Sequence, residues 1–156
     1  VGELLKDPRG NPETIPLPVL LDECVGRAPF PVLLRAQIPA CTVRFDRELF
    51  RSVIDNLVRN AWESYDGEPA EKPIEIGAAL EGMHLSVSVF DRGKGIPPGM
   101  EEKVFDPFFT DKVHGSGIGL SLSRRLVRAA GGNLVLLPRV GGGTEARILL
   151  VAGAAS

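Results

Sequence analysis

Two hydrophobic rhythms stand next to each other in the middle of this chain, and together they restrict the fold more than any other feature. Between Asp46 and Tyr65 apolar residues recur at Leu49, Phe50, Val53, Ile54, Leu57, Val58 and Ala61. That is the spacing of a helix with one buried stripe, and Asp46 is a natural N-cap for it. From Ile74 the period drops to two: Ile74, Ile76, Ala78 and Leu80, then Met83, Leu85, Val87 and Val89, with Glu81-Gly82 between the runs. This predicts a hairpin with one apolar face, the side chains of the second run from Met83 to Val89 pointing inward. Each element needs a partner for its apolar side, so a helix lying on a sheet is the economical solution.

The flanking segments extend that plan. Pro8, Pro12 and Pro16 with Gly2 and Gly10 break regular structure, so residues 1–15 read as a linker and the compact domain as residues 16–152, with 153–156 as a tail. A short helix over Pro18 to Arg27 is closed by Pro29 and Pro31, and short strands are expected at Val32 to Ile38 and Cys41 to Phe45. A second helix is expected from about Ser116 to Ala130, stopped by Gly131-Gly132, and last strands at Leu134 to Leu137 and Thr144 to Val151 around Gly141-Gly142-Gly143. Helices grouped apart from hairpin-connected strands give an α+β fold. The expected form is a two-layer sandwich in which a mixed, mainly antiparallel sheet is covered on one face by about three helices.

Bulk properties narrow the function. A length of 156 residues suits one domain, and a net charge of −2 with 24% charged residues offers no electrostatic footprint for nucleic acid. No apolar run approaches the ~20 residues of a membrane span, and the N-terminus lacks the pattern of a signal peptide, so a cytoplasmic setting without direct membrane contact is expected. Cys24 and Cys41 form neither a metal-type cluster nor a disulfide framework and read as reduced core thiols. The chain begins with Val1 rather than Met, which suggests a piece of something longer.

Several short motifs carry the chemistry. Asn56 and Asn60 are one helical turn apart, offset by about 40° around the axis, and border the apolar stripe. Two amides there can offer oxygens to Mg²⁺ or donors to phosphate, although an amphipathic helix can carry polar edge residues for no further reason. Asp91 continues the inward parity of Leu85, Val87 and Val89. A carboxylate on an apolar face needs a hydrogen-bond donor, and the exocyclic amine of adenine would suit where the guanine oxygen would be repelled. Gly93 and Gly95 follow at once, allowing a tight turn and close approach of a flat base, though Asp-x-Gly-x-Gly is also an ordinary turn.

The stretch Gly93 to Gly117 is long and rich in Gly and Pro, the character of a lid, and within it Phe105, Phe108 and Phe109 suggest an apolar latch or plain packing. Gly115 to Leu120, GSGIGL, opens the second helix, whose N-terminal amides can meet a triphosphate; Lys112 just upstream adds positive charge. Its Gly-x-Gly-x-Gly spacing after a lid differs from the Gly-x-Gly-x-x-Gly of a dinucleotide loop, and neither a P-loop nor the eukaryotic protein-kinase set occurs.

In order, these pieces resemble the N, G1, F, G2 and G3 boxes of the ATP-binding catalytic domain of sensor histidine kinases, over about residues 16–151. The resemblance implies a Bergerat-type sandwich, shared with gyrase, heat-shock protein 90 and mismatch-repair ATPases, with ATP and Mg²⁺ as ligands. By that likeness Asn60 would ligate Mg²⁺ and Asn56 would contact phosphates, with Glu63 and Ser64 near the nucleotide. Asp91 would bind the adenine amine, Gly93, Gly95 and Ile96 would line the base, and Thr144 would close the adenine pocket. Thr110 and Lys112 would face the phosphates from the lid, and Gly115, Gly117, Ile118, Gly119 and Leu120 would wrap the triphosphate. Asn56 and Lys112 would be the catalytic pair.

In the related ATPases a glutamate occupies the position of Asn56 and activates water. An amide cannot take that proton, so transfer to a protein acceptor is implied instead. The family keeps its phosphorylated histidine on an upstream helical dimerisation domain, and neither His84 nor His114 lies in such a helix. The expected partners are therefore that domain and, through it, a response regulator. The isolated domain would be a monomer and its parent a homodimer. The short lid between Phe109 and Gly115 looks like the nitrogen-regulation type. The alternatives are a serine kinase of the anti-sigma or dehydrogenase-kinase type, and a degenerate nucleotide-binding scaffold.

Overall fold

In a computed structural model of the chain, residues 7–65, 72–106 and 118–153 are described. The chain starts with β1 (Glu13–Pro16), which pairs antiparallel with β3 (Thr42–Phe45) in a two-stranded ribbon. Three residues of the stretch expected as linker, Glu13 to Ile15, thus belong to a strand, and Ile15 is fully buried. Between these strands lie α1 (Leu17–Arg27) and β2 (Val32–Leu34). Pro18 sits in the first turn of α1, where a missing N–H costs nothing, and the Leu17 N–H donates to the Cys41 carbonyl at 2.8 Å.

The predicted central helix is α2 (Arg47–Glu63). Its N-cap is Asp46, one carboxylate oxygen accepting from the Leu49 N–H at 2.9 Å and the other from the Asn11 N–H at 2.8 Å. The expected stop at Asp66-Gly67 lies outside the described residues; the last helical residue is Glu63, followed by Ser64. Next come β4 (Ile74–Glu81) and β5 (His84–Phe90), the predicted hairpin, joined through Gly82 at φ 59° and Met83. Met83 departs from the expected inward face. It occupies the turn rather than the strand and is 50% exposed, because the hairpin tip runs past the end of the core. The helix expected from Ser116 is described from Ile118 as α3 (Ile118–Ala129), and β6 (Asn133–Pro138) and β7 (Thr144–Val151) complete the chain.

The main sheet has the order β2-β4-β5-β7-β6, with β2 parallel to β4 and every other neighbour antiparallel. The two-layer α+β plan is as read from the sequence. Leu20, Leu21 and Cys24 of α1, Phe50, Ile54 and Val58 of α2, and Leu120 and Val127 of α3 share one core with Ile76, Val87, Leu134 and Ile148 of the sheet. Both cysteines are free and buried. Burial, with Asp55 and Glu23 nearby, pushes the Cys24 thiol up to about 12, so it is an inert core group at neutral pH. Among the described residues no helix is long and apolar enough to cross a membrane.

Candidate nucleotide site

The last two turns of α2, the exit of β5 and the start of β7 converge on one cavity of about 360 Å³, counting its open mouth. Its walls are apolar: Leu57 and Ala61 from α2, Val89 from β5, Leu136 from β6, Ala146 from β7, with Ile96 and Leu120. Four polar side chains break that surface, those of Asn60, Ser64, Asp91 and Thr144. A concave apolar pocket with a few converging polar groups is the usual form of a small-molecule site.

Asp91 is held more firmly than any other group there. Only 6% exposed, it accepts at Oδ1 from the Gly93 N–H (2.9 Å) and the Thr144 N–H (3.1 Å). Its own N–H donates to the Thr144 carbonyl at 2.9 Å, and its carbonyl accepts from Nη1 of Arg139 at 2.8 Å. Next along the chain, the Arg92 N–H donates to the Tyr65 hydroxyl at 2.9 Å, tying the end of β5 to the residues after α2. Burial raises the Tyr65 phenol above its ordinary value, so it stays protonated. The Arg35 guanidinium lies 3.6 Å from the centre of the Phe90 ring on the opposite face of the sheet. These ties fix Asp91 before any ligand arrives, which is the preorganisation a selective site needs.

Gly93 is required for a reason the sequence did not supply. A Cβ there would collide with the Ser64 hydroxyl and carbonyl, so the glycine allows the loop to pack on the end of α2. The Lys94 N–H donates to the same Ser64 carbonyl at 3.0 Å. Gly95 takes φ 77°, the left-handed turn expected of it.

Of the residues singled out from sequence, the cavity brings together Asn60, Ser64, Asp91, Ile96, Leu120 and Thr144, with Gly93 packed beside them. Asn60 presents a buried Nδ2 that finds no acceptor among the described residues. Asn56 lies one turn back along α2 and does not line the cavity; its Nδ2 donates to Ser123 Oγ at 3.1 Å. Glu63 stands apart, exposed in the last turn of α2. Thr110, Lys112, Gly115 and Gly117, like Phe108 and Phe109, lie outside the described residues, and Ile118 opens α3. Phe105 is buried, with the Arg124 guanidinium 3.9 Å from its ring centre and Arg124 paired to Glu102 at 3.0 Å. The apolar walls at Leu57, Ala61, Leu136 and Ala146 were legible only as core positions, and Tyr65, Ser123 and Arg139 gave no sequence signal.

The sequence and the fold both have counterparts among known proteins. Residues 45–153 match the family model described as histidine kinase-, DNA gyrase B- and HSP90-like ATPase. The sensor protein KdpD of Escherichia coli (strain K12) is 36% identical over 142 residues, 83% of this chain and 16% of that protein. The C4-dicarboxylate transport sensor protein DctS of Rhodobacter capsulatus is 35% identical over 119 residues, 76% of this chain and 18% of its own length. The chain therefore spans under a fifth of each of these relatives. Among solved structures, the catalytic domain of histidine kinase ThkA superposes with a TM-score of 0.73 at 26% identity, covering 92% of this chain and 98% of that one. The mycobacterial sensor histidine kinase MprB gives 0.75 at 21% identity, a likeness of fold, over 92% and 99%.

Proposed function

Because the chain belongs to the family of histidine kinase-, DNA gyrase B- and HSP90-like ATPases, we propose that it is the ATP-binding catalytic module of a two-component sensor histidine kinase. In this reading it transfers the γ-phosphate of ATP to a histidine on a separate dimerisation domain, and the catalytic unit is residues 16–152 extended by the β1 residues Glu13 to Ile15 and by Gly153. The observation that carries it is the convergence of Asp91, Thr144 and Asn60 on one apolar-walled cavity. Asp91 offers a buried carboxylate to a base amine, and the apolar walls suit a flat purine.

The buried, unmatched amide of Asn60 fits a polar ligand at the same mouth. Turned so that its oxygen faces outward, it suits Mg²⁺. Among the described residues no three His, Cys, Asp or Glu gather as a metal site, and the Asn60 amide oxygen is the protein ligand proposed for such an ion. Bound there, Mg²⁺ would neutralise charge on the phosphates. Lys112 and Thr110 would approach from the lid, and Gly115, Gly117, Ile118 and Gly119 would supply backbone amides at the start of α3. Asn56 cannot act as a general base, which favours an imidazole nucleophile over water. The relatives are multidomain sensor proteins, which supports a phosphoacceptor domain and a response regulator as partners; in the same proposal the parent is a homodimer.

Incubating the chain with labelled ATP, Mg²⁺ and a separately made dimerisation domain tests the assignment. Acid-labile label on a histidine is the expected result. Nucleotide binding without such label would refute phosphotransfer to histidine, and acid-stable label would move the chain to the serine kinases.

A further inference from the structure

Ser123 lies in the second turn of α3, only 4% exposed, on a helix face otherwise occupied by Leu120 and Val127. Its Oγ accepts from Nδ2 of Asn56 at 3.1 Å, across 67 residues of sequence. The other end of the same amide also meets α3: a Cβ at Gly119 would collide with Asn56 Oδ1. Both ends of the amide thus rest on one face of α3, on a hydroxyl and, one turn before it, on a bare glycine Cα.

The final torsion of an asparagine is broad and nearly two-fold, so its carbonyl and amine ends exchange readily unless something distinguishes them. The Ser123 hydroxyl limits that freedom by bonding one end of the amide, and the missing Cβ at Gly119 leaves room for the other. An aliphatic residue at 123 would fill the space and leave a part-buried Asn56 N–H without its acceptor. Asn56 stands one turn from Asn60 on α2, while Gly119 belongs to the loop-to-helix start of α3.

We propose that Ser123 is a positioning residue for the phosphate end of the nucleotide: it holds the Asn56 side chain against α3 and so locks the start of that helix to the polar edge of α2. The inference rests on the nucleotide reading given above. The adenine end is served by Asp91, Thr144 and the apolar walls, none of which is bonded to Ser123. Losing the hydroxyl should therefore be felt at the phosphates and not at the base.

Titration calorimetry on the whole chain separates the two ends, with Mg²⁺ and a non-hydrolysable ATP analogue as one probe and adenosine as the other. Ser123→Ala should weaken the triphosphate roughly three- to tenfold, the worth of one net hydrogen bond, and leave adenosine unchanged. Ser123→Thr, which keeps the hydroxyl, should recover most of the loss, and Ser123→Cys covers the case in which alanine does not fold. In an Asn56→Ala background the serine substitution should add nothing, since the pair acts as a unit. Equal weakening of both probes, or an undiminished effect in the Asn56→Ala background, would overturn the proposal and leave Ser123 a packing residue. Wild-type affinity for the triphosphate in Ser123→Ala would overturn it too. A wild-type chain that binds neither probe would instead bring down the nucleotide reading itself.

Discussion

Replacing Asp91 with asparagine exchanges one oxygen for an amine and keeps the shape. The Oδ1 contacts to Gly93 and Thr144 can persist, but the group aimed at a base amine changes from acceptor to donor. Asp91→Asn should cost about 1–3 kcal/mol in ATP affinity with little change in thermal midpoint. Calorimetry at fixed Mg²⁺ checks this, and unchanged affinity would reassign the adenine contact. Asn60→Ala should abolish the Mg²⁺-dependent part of nucleotide binding. Its fold should survive, since the Nδ2 it removes has no acceptor among the described residues. Comparing titrations with and without the metal reads that difference directly. Asp91 and Asn60 were visible in the sequence because local periodicity fixes where each points, one by strand parity and the other by helical offset. Ser123, Arg139 and Tyr65 were not, because their partners lie 67, 48 and 27 residues away and no local rule connects them.

Helix α2 shows how a cap converts a pattern into an element. Burial alone would raise the Asp46 carboxyl, but the N–H groups of Asn11, Leu49 and Glu48 outweigh it and hold the group below the usual carboxylate range. A folded-state value below the unfolded one means that the stabilisation is present above the unfolded pKa, about 3.9 for aspartate. It is lost as pH falls through the lower folded value. Asp46→Ala should therefore destabilise the chain by about 0.5–2 kcal/mol near neutrality. The gap from wild type should close in acid denaturation series below about pH 4; a gap independent of pH would mean that the carboxylate is not the stabilising group. Strong periodicity made α2 and the β4–β5 hairpin readable. The weaker β2 was expected to run to Ile38 but stops at Leu34. There the Arg35 side chain turns to cover Phe90, and Gln37 adopts φ 65°, a conformation no strand contains.

At the level of the whole molecule the layered plan followed from alternating and helical periods, whereas the strand order did not. Placing β2 parallel to β4 at one edge requires the chain to pass through β3 and all of α2 before returning. That choice is made by how the layers bury one another, not by residues within either strand. The same topology makes Thr42 a meeting point, because it pairs with Pro16 of β1 on one side and bridges Gly153 on the other. The end of the first strand and the residue two positions beyond the last strand therefore meet at a single residue. A short Gly/Ser splice joining the two ends, with the chain reopened at the solvent-facing Gly82-Met83 tip, should give a circular permutant that still folds and binds ATP. A permutant that expresses but fails to bind would show that the hairpin tip contributes to the pocket through the continuity of β4 and β5.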